Sequence, residues 1–162
     1  MTPNDLLASG IRMSTAMVHR LVDDLTPAEF IHQPAPGANC AAWIVGHLAT
    51  TMNRALGRLG VEEAPRIPED VAAKFQMTKQ PAGKQDGLGD PKDLIGLLDD
   101  QATRLQAALR SLTDEALAGE PEVKPPGVKT RGEMLLFLSL HSAAHAGQLS
   151  TIRRSLGKPP LL

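Results

Sequence analysis

The chain has 162 residues, enough for one domain with a real hydrophobic core. Apolar residues make up 42% and charged residues 22%, the balance of a globular protein rather than a disordered one. With 17 basic against 18 acidic side chains and aromatics at 2%, it offers nucleic acid neither a basic footprint nor a stacking platform, and an anionic membrane no attraction.

Cys40 is the only cysteine, so no intrachain disulfide can form and a reducing compartment is expected. The first residues, MTPNDLLASGIRMSTAM, lack a basic head followed by an apolar run, and no stretch is apolar for the length of a bilayer. The expectation is a cytoplasmic protein forming one domain over 1–162.

Along the chain, Thr2-Pro3-Asn4-Asp5 supplies a capping hydroxyl, a proline for the first helical position and an acid for the first turn. Leu7, Ile11, Val18, Leu21, Val22 and Leu25 follow at helical spacing as one apolar stripe. Thr26-Pro27-Ala28-Glu29 repeats the opening for a single turn, and Gln33-Pro34-Ala35-Pro36-Gly37 ends it. A second helix is expected from Asn39 to about Leu59, with Gly60 as its left-handed stop and Trp43, Ile44, His47, Leu48, Met52, Ala55 and Leu59 on its inner face. The stretch from Val61 to Gly89 reads as a long connection, with a short helix from Ile67 to Phe75 and loop chemistry at Gln80-Pro81-Ala82-Gly83 and Gly87-Leu88-Gly89.

Asp90-Pro91-Lys92-Asp93 opens a third helix, whose Leu94, Leu98, Ala102, Leu105, Leu109 and Leu112 keep a strict three-to-four spacing. Glu120-Pro121 and Pro125-Pro126-Gly127 mark a loop. Thr130-Arg131-Gly132-Glu133 is a capping box for a fourth helix that runs to about Leu156, before Gly157 and Pro159-Pro160. No strand-like alternation of useful length intervenes. Four long helices sharing one core make an all-α four-helix bundle, and the long connection between the second and third suits either an overhand crossover or a lid.

Chemistry concentrates in histidines. The inner stripe of the fourth helix reads Met134, Leu138, His141, His145, Leu149, Ile152, which places two imidazoles one turn apart on a core face. His47 holds the matching inward position on the second helix. A buried neutral imidazole needs partners for both nitrogens, and each one left unpaired costs about 1–3 kcal/mol. One divalent ion accepting a lone pair from each ring satisfies all three, while their second nitrogens donate outward. Three histidines with an open fourth position is the pattern of catalytic zinc, and nitrogen ligands suit nickel, iron or copper as well.

A pair of histidines four apart is weak on its own, since a lone histidine on an apolar face is more often a satisfied core residue. The weight comes from three rings being in phase with two stripes. His19 lies off its stripe and His32 precedes a loop, so both read as ordinary. Cys40 reads as a small buried apolar residue before a thiol activated by a helix N-terminus, Trp43 as core or as a wall of the pocket, and Gln148, one turn after His145, as a helix-surface glutamine before one that orients a water or substrate. The glycines at 83, 87 and 89 follow no strand, so they do not form a phosphate-cradling loop.

The segments Ala42-Trp43-Ile44-Val45-Gly46-His47-Leu48, His141-Ser142-Ala143-Ala144-His145-Ala146-Gly147-Gln148-Leu149 and Leu25-Thr26-Pro27-Ala28-Glu29-Phe30 resemble those of the DinB superfamily of damage-inducible four-helix bundles, which includes bacillithiol and mycothiol transferases. The resemblance implies an up-up-down-down bundle, a homodimer, and one divalent metal ion (zinc or nickel first, iron or manganese next) on three histidines, matched by His47, His141 and His145. Many members carry a further histidine before the last ligand and a basic residue after it. Here those places hold Ala144 and Ala146. The function implied is a metal-dependent transferase that activates a low-molecular-weight thiol. The alternatives are a metal-dependent hydrolase and a non-catalytic, stress-related binding bundle. In every case the partner is a small molecule, not nucleic acid or membrane.

Overall fold

The computed structural model describes residues 1–61, 67–76 and 87–161. Among them the chain forms seven helices and no strand: α1 (Pro3–Val22), α2 (Pro27–Phe30), α3 (Ala41–Arg58), α4 (Glu69–Lys74), α5 (Pro91–Ser111), α6 (Asp114–Ala118) and α7 (Arg131–Ser155). None is long and apolar enough to cross a membrane.

The expected start signals work as read. Thr2 with Asp5, Thr26 with Glu29 and Thr130 with Glu133 form reciprocal capping boxes, each satisfying orphan backbone donors of a first turn. Gly60 stops α3 at φ +72°, where Val61 N–H reaches back to the Leu56 carbonyl. One boundary and one element differ. Helix α3 starts at Ala41 rather than Asn39, because Cys40 is extended and its sulfur accepts from the Trp43 N–H at 3.4 Å. Helix α6, unanticipated, is one turn capped by the Thr113 hydroxyl. The expected loop at Gln80-Pro81-Ala82-Gly83 lies outside the described residues.

The long helices α1, α3, α5 and α7 enclose one core in which α1 and α3 each pack against α5 and α7. Their directions follow from side-chain contacts. Asn4 at the start of α1 donates to the Leu109 and Leu112 carbonyls at the end of α5, so these two run antiparallel. Arg153 near the end of α7 donates to the Leu21 carbonyl near the end of α1, so these two run parallel. The start of α3 meets the end of α7 through Asn39 and Gln148, while Ala55 and Arg58 share a cavity with Met134 and Leu138 near the start of α7. The order is therefore up-down-down-up, not the up-up-down-down expected from resemblance. The long crossover joins the parallel pair α3 and α5, because the chain must retrace α3, about 27 Å at 1.5 Å per residue, before α5 can begin beside it.

Helix α3 is buried without interruption from Ala41 to Thr50, as a helix covered on all sides must be. Part of that cover is the crossover. The Phe75 ring at the end of α4 sits over Gly46, where an added Cβ would lie 2.3 Å from the ring.

Candidate metal centre

His47 on α3 and His141 with His145 on α7 come together between the two helices. The one-turn spacing on α7 places both rings on the face toward α3, at a centroid separation of 4.6 Å. The Nε2 atoms converge: His141 Nε2 lies 3.1 Å from that of His145 and 3.3 Å from that of His47. Tetrahedral coordination at a metal–nitrogen distance of ~2.0–2.1 Å separates ligand nitrogens by about 3.3 Å. The cluster thus has the dimensions of a three-nitrogen metal face.

The outer nitrogens fix which way the lone pairs point. His47 Nδ1–H donates to the Phe75 carbonyl at 2.9 Å. A carbonyl only accepts, so the proton of the neutral ring sits on Nδ1 and Nε2 presents a lone pair inward. His145 Nδ1–H donates to Gln148 Oε1 at 3.0 Å, with the same result. His141 Nδ1 is buried without a partner, as is Trp43 Nε1. Inward-facing lone pairs held by outer acceptors are the arrangement a divalent ion takes, so the donor set fits one.

Electrostatics keep the rings neutral. Burial pushes the pKa of His141 down to about 4, and the neighbouring His145 and His47 add repulsion against its charged form. Burial also lowers His47, helped by His145 and opposed by the Phe75 hydrogen bond, and lowers His145 against the bond to Gln148. At neutral pH all three rings are neutral, and the Nε2 lone pairs of His47 and His145 face inward. Among the described residues no carboxylate joins the cluster.

Aromatic and amide groups complete the surroundings. Trp43 stacks on His47 with centroids 4.6 Å apart and planes within 8°, which restrains that ring. Phe137 lies 6.3 Å from His141. Gln148 is exposed yet orients His145, so reading it as an ordinary surface glutamine missed its part in the site. It also lines a cavity of about 280 Å³ with Pro34, Gly37, Ala38, Asn39 and Thr151. The spacing His145-x-x-Gln148, one turn on the same helix, was the signal. Nothing in the sequence marked Phe75, which contributes only its main chain to His47.

The remaining candidates stay outside. His19 bridges Asp23 and Asp99 between α1 and α5, and His32 Nε2 meets the Ser155 hydroxyl. The Cys40 thiol is buried and its pKa raised by that burial, which suits its capping role rather than a reactive one.

A comparison with curated proteins finds no match. Among solved structures the chain is similar to YfiT from Bacillus subtilis, described as a probable metal-dependent hydrolase with an unusual four-helix bundle topology. The two share 22% identity at a TM-score of 0.70, over 96% of this chain and 89% of that one. This likeness carries the fold, a four-helix bundle. The model of the DinB superfamily matches residues 11–149, which span α3 and α5 whole, most of α1 and α7, and all three clustered histidines; the chain belongs to the DinB superfamily.

Proposed function

We propose that this protein binds one divalent metal ion through Nε2 of His47, His141 and His145 and uses it to activate a low-molecular-weight thiol for transfer to an electrophile. The observation that carries the metal is the convergence of the Nε2 atoms of His145 and His47 on that of His141, at 3.1 and 3.3 Å, with two outer nitrogens already committed to acceptors. When bound, a divalent ion lowers the pKa of a thiol or water on its open side. The chain's own part is to hold three neutral rings, exclude other ligands with Trp43 and Phe137, and leave room for a small molecule beside Gln148.

The absence of a carboxylate from the cluster among the described residues supports a thiol over water, because a thiol ionises without a dedicated base whereas hydrolysis is commonly assisted by one. Hydrolysis is the second reading, favoured by the description given to YfiT. The family resemblance favours zinc or nickel as the ion and a homodimer as the working unit, which we place in the cytoplasm. The test is elemental analysis of protein purified without a histidine tag, followed by conjugation of cellular thiols to monochlorobimane, in which the thiol sulfur replaces chloride and releases a proton. Conjugation that stops in chelator and returns with metal is expected. Metal-dependent ester or amide cleavage without conjugation would favour hydrolysis, and no uptake of any divalent ion would reject both.

A further inference from the structure

We propose that Phe75 is a positioning residue for the metal centre: its ring, seated where Gly46 has no side chain, holds the crossover against α3 so that its main-chain carbonyl keeps the His47 proton on Nδ1. This rests on reading the three histidines as ligands and adds the device that prepares one of them.

Gly46 is the first line of argument. Glycine in mid-helix is unfavourable relative to alanine, and Gly46 is not among the glycines that use a positive φ. What it provides is space. A Cβ there would lie 2.3, 2.4 and 2.6 Å from Cε1, Cζ and Cδ1 of Phe75, so the ring occupies the volume of the missing methyl group.

The second line is how α4 is held. None of its own residues, Glu69 to Lys74, is buried. The fully buried side chain is Phe75, the residue just beyond its last turn, with Ile67 buried before its first. Removing the ring from its seat therefore releases the end of the element that carries the carbonyl.

The third line is the carbonyl itself. Carbonyls at a helix end lack an intrahelical partner, so that of Phe75 is available to a side chain. His47 Nδ1 uses it at 2.9 Å. The tautomer of a ligating imidazole is set by the bond its other nitrogen makes, and loss of such an outer partner typically lowers metal affinity by about 10–100-fold. Because binding and docking share this bond, the metal must tighten the crossover by the same factor that the crossover tightens the metal.

The experiment compares the full chain with Gly46→Ala, Phe75→Ala and the double variant, each checked for helicity by circular dichroism. Zinc affinity is measured by chelator competition, the His47 tautomer by long-range proton–nitrogen correlation in the metal-free protein, and crossover docking by amide hydrogen exchange over 67–76. Both single variants should bind zinc about 10–100-fold more weakly, and the double no worse than the weaker single, since all three break one contact. Zinc should slow exchange over 67–76 in the native chain and not in the variants. Variants that bind within threefold of the native chain, with the His47 proton still on Nδ1, would overturn the proposal and leave the metal reading intact. If Gly46→Ala does not fold, Phe75→Ala decides. A native chain that takes up no zinc would overturn the metal reading, and the tautomer measurement then still judges the hold of Phe75 on His47.

Discussion

His47, His141 and His145 could be picked out in the sequence because each is in phase with an apolar stripe, and a polar ring in such a place needs an explanation. Their substitution by alanine should behave differently from that of His32. Ligand binding stabilises a fold by RT ln(1 + [L]/Kd), about 4 kcal/mol at 1,000 times Kd. Thermal unfolding with and without excess zinc should therefore show most of the metal-dependent rise in Tm lost in His47→Ala, His141→Ala and His145→Ala, and kept in His32→Ala. A His47→Ala protein that keeps the full response would reject the site. His19 shows a different behaviour. Burial works against its charged form, but hydrogen bonds to Asp99 at 2.7 Å and Asp23 at 3.1 Å outweigh it and raise the pKa above 6.5. A raised folded pKa gives stability that is fully present below 6.5 and lost as pH rises through the folded value. The stability difference between the native chain and His19→Gln, measured by urea unfolding from pH 5.5 to 9, should be largest in acid and shrink toward alkaline pH. A difference that grows with pH would contradict the bridge.

At the level of elements, the caps were legible because they are local: a threonine, a proline and an acid within four residues leave little choice of structure. Helix α6 had part of that signal in Thr113-Asp114-Glu115, the threonine and the acids without the proline, and was missed because five residues, Asp114–Ala118, show no periodicity to support it. Cys40 as a cap was missed because sulfur rarely takes that place. Arg153, near the end of α7, is 2% exposed and pairs with both carboxylate oxygens of Asp24, fastening α7 to the loop after α1. Such a pair cannot be seen in a sequence, since its partner is 129 positions away. Asp24→Ala leaves the buried guanidinium with only the Leu21 carbonyl among these acceptors, and should cost about 1.5–3 kcal/mol in denaturant unfolding. Glu115→Ala, which removes an exposed carboxylate outside this pair, provides the control. Equal losses in the two would show that the clamp is not specific.

For the whole molecule, the four-helix class and its single core followed from counting amphipathic segments, but direction did not. Amphipathic period is the same whichever way a helix runs, so only contacts such as Asn4 with Leu109 and Arg153 with Leu21 distinguish up-down-down-up from the alternatives. That order sets α1 parallel to α7, and both place large apolar side chains outward: Leu6 and Met13 on α1, Leu136 and Leu140 on α7. Leu6 and Leu136 line one groove, the natural seat for the expected second copy. Light scattering at tens of micromolar should give twice the monomer mass for the native chain and the monomer mass for the Leu6→Glu, Leu136→Glu double variant. A monomeric native chain would refute the dimer. The division of the histidines between two helices also bears on how the molecule assembles. His141 and His145 are one turn apart, whereas His47 precedes His141 by 94 positions. An ion meeting the unfolded chain can be clasped by the local pair at almost no loop-closure cost, and doing so pins a turn of α7 against the unfavourable nucleation of an isolated helix. An ion bound as proposed would have a role in time as well as in stability, as a nucleus onto which the first half of the chain condenses. A peptide spanning 131–155 should gain helicity when nickel or zinc is added at neutral pH, and the same peptide carrying His141→Ala should not.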